Sequence, residues 1–226
     1  MKNATKRTWI ALGLAATAAF VVTPAHANDN FTYEVTVTNI TFGQQFTPLL
    51  LFTHRASLQL FDLGKPASAN LATLAEEGNV APLRAELEAD SRVFATEAGA
   101  GLTNPGATAT FTIRGHPLRH RVSVAAMLIP TNDAFVALNG VALPWHGSVT
   151  FFARAYDAGS EANDELCASI PGPFFAECGG PGGGARIGDG EGFVHIHRGI
   201  HSIGNLAPSN RDWRNPVAEI TVRRVH

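Results

Sequence analysis

The feature that most constrains this chain is a two-residue alternation of apolar and polar side chains. Phe31, Tyr33, Val35 and Val37 alternate with Thr32, Glu34, Thr36 and Thr38, as in a strand that buries one face and wets the other. The alternation returns in Ala109, Phe111 and Ile113 against Thr108, Thr110 and Thr112. Five further runs, Leu49 to Thr53, Val122 to Ile129, Val149 to Ala155, Phe193 to Ile196 and Val217 to Val225, are rich in β-branched or aromatic residues and are bounded by Gly, Pro or Asn. Helical spacing is confined to the interval between Pro66 and Asp90. There Leu71 and Leu74, followed by Leu83 and Leu87 after Pro82, predict two short helices. Strands at both ends with one helical insertion predict an all-β antiparallel sandwich rather than an alternating βαβ order.

Lys2, Lys6 and Arg7 precede a mostly apolar run from Trp9 to Val22, and Ala25-His26-Ala27 follows it. This is the order of a secretory signal peptide over residues 1–27, with the mature chain starting at Asn28. The apolar run is shorter than the roughly 20 residues that span a bilayer. No later stretch is long and apolar enough to do so, and no Cys stands at the cleavage site to take a lipid. The expected product is secreted or periplasmic, with no transmembrane segment after cleavage. Losing the signal reduces 17 basic and 19 acidic residues to 14 and 19, so the formal charge moves from −2 to −5. That balance does not suit a nucleic-acid binder. The mature length fits one domain over residues 28–226.

Cys167 and Cys178 are the only cysteines. In an oxidising compartment they are expected to pair, closing a short loop worth about 2–3 kcal/mol in the chain-entropy picture. They flank the start of a Pro/Gly-rich stretch, Pro171 to Gly192, that includes Gly179-Gly180-Pro181-Gly182-Gly183-Gly184. This stretch reads as a surface loop. It is not a phosphate cradle, because no Lys-Ser/Thr pair follows the glycines and no strand-to-helix context surrounds them.

Asp133, Asp157 and Glu161 lie just beyond strand-like runs. A calcium site takes six to eight oxygen ligands, commonly two or three carboxylates with carbonyls and water. Gly159 lets the chain turn so that Glu161 points back toward Asp157, with Asp164 and Glu165 near enough to take its place. On spacing alone, the same acids serve equally as solvated turn formers. His195 and His197 lie two apart on a predicted strand and share a face, with His201 and His54 as further candidates. Neutral imidazoles on one face suit zinc or copper, and they equally suit backbone hydrogen bonding at a sheet edge. A Ser202-His201-Asp212 trio has no nucleophile-elbow context to support it.

The segments Met127-Leu128-Ile129-Pro130-Thr131-Asn132-Asp133-Ala134-Phe135 and Tyr156-Asp157-Ala158-Gly159-Ser160-Glu161 resemble the two signature stretches of the spondin domain family. There, Met-Leu-Ile/Gly-Pro-Ser-Pro-Asp-Trp precedes Trp-Asp-Ala-Gly-Thr-Asp. Phe31 to Asn39, Pro48-Leu49-Leu50 to His54, and the stretch from Gly192-Phe193-Val194-His195-Ile196-His197 through Asp212-Trp213-Arg214-Asn215-Pro216 extend the likeness over nearly the whole mature chain. Two departures are Glu161 in place of the usual Asp, and Ala134-Phe135 in place of the Trp after the motif Asp. The resemblance implies a β-sandwich similar to the calcium-dependent membrane-targeting domains of synaptotagmin and protein kinase C, with calcium held at one end by Asp133, Asp157 and Glu161. It also implies a non-enzymatic role in surface, matrix or envelope interaction, with a protein, glycan or lipid headgroup as partner. The thrombospondin repeats of the animal adhesion proteins are not seen beside it, so their neuronal role does not transfer. Two other readings remain: a zinc or copper enzyme built on His195 and His197, and a metal-free structural envelope protein.

Overall fold

The computed structural model describes residues 30–184 and 188–225; the export signal expected over residues 1–27 lies outside them. In chain order the elements are β1 (Phe31–Asn39), β2 (Gln45–Phe46), β3 (Leu50–Arg55), α1 (Ala69–Glu77), α2 (Ala81–Ala89), β4 (Val93–Ala98), β5 (Thr108–Gly115), β6 (His120–Ile129), β7 (Ala134–Ala142), β8 (Ser148–Asp157), β9 (Phe174–Phe175), β10 (Gly180–Pro181), β11 (His195–Ile196), the one-turn α3 (Pro208–Arg211) and β12 (Ala218–Arg224). One antiparallel sheet runs β4-β3-β6-β7-β8-β12-β1-β5, with β2 added to β6 and β11 to β8, while β9 and β10 form a separate ribbon. The fold is all-β, as the alternation predicts. β12 lies between β8 and β1, so the last described strand is an interior member of the sheet.

The sheet curls until its ends meet. Thr53 Oγ1 on β3 donates to the Arg114 carbonyl on β5 at 2.7 Å, and the Arg114 guanidinium lies 5.7 Å from the Phe94 ring on β4. Tyr33, Val35 and Val37 of β1 point inward against Val122, Val124 and Ala126 of β6 and Ile220 and Val222 of β12. This is the buried face that the β1 alternation marks.

α1 is capped at its start by the Ser68 side chain, which accepts from the Leu71 N–H, and at its end by Gly78 at φ 67°. Pro82 sits in the first turn of α2. Both helices fall in sequence between β3 and the terminal strand β4. Their Leu71, Leu74, Leu83 and Leu87 form a second apolar cluster with Leu50, Phe52, Ala125, Phe135 and Ala137. The helices therefore cover the outer face of β3, β6 and β7, and those strands are buried on both sides. This explains why β7, not foreseen as a strand, lacks alternation: Ala134 to Leu138 are all buried. β4 was also not foreseen. The strand expected over Phe193 to Ile196 shrinks to His195–Ile196. Phe135, near the position of the family's usual Trp, packs edge-on against Phe61 at 5.3 Å and tilted against Tyr156 at 5.7 Å.

Candidate metal centre

Asp133 is the last residue before β7 and Asp157 the last of β8. Their elements pair so that Ala134 stands opposite Asp157, which sets the two acids side by side at one end of the sheet. β11 continues the sheet on the other side of β8, with His195 opposite Asp157; opposed residues share a face. The loop leading to Asp133 is held from within. Thr131 Oγ1 donates to the Leu128 carbonyl and accepts from the Ala134 N–H, and Asn132 bonds the Glu165 N–H and the Asp164 carboxylate.

Both aspartates are completely buried. Asp133 Oδ2 accepts from the backbone N–H groups of Ser160 at 2.8 Å and Glu161 at 3.1 Å, whereas its Oδ1 has no hydrogen-bond partner among the described residues. Burial, and then the Asp157 charge, push the Asp133 carboxyl up to about 7. Burial also raises Asp157, opposed chiefly by its hydrogen bond from Asn163.

Asp157 is oriented by a chain of hydrogen bonds that also fixes the tautomer of His197. The Gly199 N–H donates to His197 Nδ1 at 3.0 Å, so the neutral ring carries its proton on Nε2 and donates to Asn163 Oδ1 at 3.1 Å. The Asn163 amide then donates to Asp157 Oδ2 at 2.7 Å. Burial first, and then its neighbours His195 and Arg198, push His197 down to about 3. His195 is the reverse case. Its Nδ1 faces the Ile196 carbonyl at 3.1 Å, which can only accept, so Nδ1 holds a proton and, in the neutral ring, Nε2 presents a lone pair. That Nε2 lies 3.6 Å from Asp157 Oδ1 and 3.7 Å from Glu191 Oε2.

Glu161 is fully buried, and its N–H caps Asp133. The two acids expected to be able to replace it are occupied elsewhere. Asp164 accepts from Asn132, the Leu166 N–H and Ser169. Glu165 clamps the N–H groups of His201 and Ile203. His54 is not at this end at all. It stands opposite Arg121, near the start of β6, with its ring nitrogens on the Arg55 carbonyl and Ser123 Oγ. Of the trio Ser202, His201 and Asp212, the first two are exposed, while Asp212 holds the Ile200 N–H and Arg214.

Glu191 is the participant that sequence reasoning missed, because it lies in the Gly-rich stretch read as surface loop. Backbone contact draws it in: the Gly192 N–H donates to the Gly159 carbonyl at 2.8 Å, and a Cβ on Gly190 would stand 2.4 Å from that same oxygen. The one available signal was its position four residues before His195. Nearby, Cys167 and Cys178 form the expected disulfide, with Cα atoms 5.6 Å apart.

A nearly closed antiparallel sheet with paired buried acids where β6 meets β7 and β8 ends defines an all-β domain with an acidic loop end. The family model Spondin_N matches residues 27–166, well over half of the chain, and the protein belongs to that family. The match includes Asp133, Asp157 and Glu161 and stops short of Glu191 and His195. No curated protein is significantly similar to the chain.

Proposed function

We propose that this chain is an exported interaction module whose loop end binds calcium, with Asp133 and Asp157 as the principal carboxylates and Glu161 as the third. Asp133 and Asp157 are buried together and Asp133 Oδ1 is left without a hydrogen bond among the described residues. A folded protein does not keep that arrangement cheaply without a counter-charge. The donors are oxygens, as a hard cation requires. Family membership adds to this, and the disulfide suits an oxidising compartment. Among the described residues no helix is long and apolar enough to cross a membrane. The role is contact with a surface, matrix or envelope partner rather than catalysis.

The test is calorimetric titration of chelator-treated mature protein with calcium chloride. One ion per chain is expected, with binding abolished by Asp157→Asn. No heat at millimolar calcium, or an undiminished titration in that variant, would refute the reading.

A further inference from the structure

We infer that Asp157, Glu191 and His195 form a second cation position, distinct from the calcium carboxylates in its nitrogen donor and suited to zinc or a similar borderline divalent metal. Its three ligand atoms lie within 4.8 Å of one another. His195 Nε2 is buried, has no hydrogen-bond partner among the described residues, and is the nitrogen that carries the lone pair in the neutral ring because Nδ1 is committed to the Ile196 carbonyl. Its distances to the two carboxylate oxygens, 3.6 and 3.7 Å, exceed hydrogen-bond length. They are close to the edge of a tetrahedron with metal–ligand bonds of about 2.0–2.1 Å, which is roughly 3.4 Å. With the imidazole neutral, three electron-pair donors face one another at that spacing, an arrangement that a shared metal ion resolves.

The surroundings fit the same assignment. The Nδ1–H bond to a backbone carbonyl is the outer contact that typically orients a metal-binding imidazole. On the opposite side, Asn163 donates to Asp157 Oδ2 at 2.7 Å and lies 3.4 Å from Glu191 Oε1, steadying both acids. Asp133, buried beside Asp157, places a further carboxyl next to the position. His197 is not a ligand, since both of its ring nitrogens are spent on Gly199 and Asn163. Nitrogen and carboxylate donors together favour zinc, cobalt or copper over calcium, for which imidazole is a poor ligand.

The position shares Asp157 with the proposed calcium site, so the test must separate the two. Chelator-treated protein is titrated with zinc chloride by calorimetry, and cobalt(II) is used as a coloured probe. One zinc per chain is expected. His195→Gln and Glu191→Gln should each weaken it by at least about tenfold with unchanged far-UV circular dichroism, while calcium binding stays within about twofold and the exposed His201→Gln has no effect. Loss of zinc in His195→Gln supports the assignment whether or not calcium binds. Absence of zinc binding at unit ratio, or full zinc affinity in both the His195 and Glu191 variants, overturns it and leaves the calcium reading standing.

Discussion

Replacing Asp133 by Asn should stabilise the metal-free protein at alkaline pH and destabilise it relative to wild type once calcium is present. The folded carboxyl holds its proton up to about 7 against a starting value of 3.8. At about 1.4 kcal/mol per decade of proton affinity, ionising it in the fold costs about 4 kcal/mol by about pH 8. Asn avoids that cost. It still accepts from the Ser160 and Glu161 N–H groups, whose effect the value of about 7 already contains, but its amide nitrogen takes the place of Oδ1, which has no partner among the described residues, and an unpaired buried donor costs about 1–3 kcal/mol. The net gain is about 2 kcal/mol, or roughly 4–8 °C for a domain of this size. The sign follows from linkage. A raised folded pKa confers stability that is complete below about pH 4 and lost as pH climbs through about 7, so the advantage of the variant should open across that window. His197, pushed down to about 3, works in the opposite sense, so the difference between variant and wild type carries the signal rather than either curve alone. Urea midpoints in chelator at several pH values measure it. With calcium at about a hundredfold over Kd, wild type gains about 2.7 kcal/mol that the variant does not, and the order inverts. A difference that stays flat with pH, or a variant less stable than wild type in chelator at about pH 8, refutes the account of Asp133.

His197→Gln should flatten the acid limb of stability. Below about pH 6.5 the unfolded histidine takes up a proton that the buried ring refuses until about pH 3, so wild type should lose stability relative to the variant as pH falls through that range; parallel curves would contradict this. Cys167→Ser together with Cys178→Ser should cost about 2–3 kcal/mol in denaturant, and unreduced wild type should weigh two hydrogens less than the dithiol by mass spectrometry. Leu74→Ala, at a fully buried site between α1 and the sheet, should cost about 2–5 kcal/mol; a loss within experimental error in urea unfolding would show the helices to be loosely seated.

Sequence pattern revealed most where one face of an element meets water. β1 and β5 were legible because threonines mark their wet side, and the two helices because their leucines recur on one stripe. β7 was hidden by its own success in burial, with helices on one face and the core on the other leaving no alternation to read. Asp133 and Asp157 could be found because each sits where an apolar run ends, and strand pairing then brings those ends together. Glu191 could not. Its place depends on two backbones touching at Gly159 and Gly190, and a contact made between main chains leaves little trace in side-chain pattern. His195 and His197 looked equivalent in sequence; only the carbonyl facing one ring and the N–H facing the other decide which nitrogen keeps a lone pair.

The acids and the imidazole of the proposed cation position also differ in their access to solvent, and this would order the approach of an ion. The Glu191 side chain is 37% exposed, that of His195 26%, and Asp157 0%. On the proposed assignment, a hydrated cation arriving from bulk would meet Glu191 while still carrying its water shell and would have to shed that shell to reach Asp157. Magnesium, which parts with water reluctantly, would then be disfavoured against ions that exchange water readily. The proposed position would discriminate partly by the cost of dehydration.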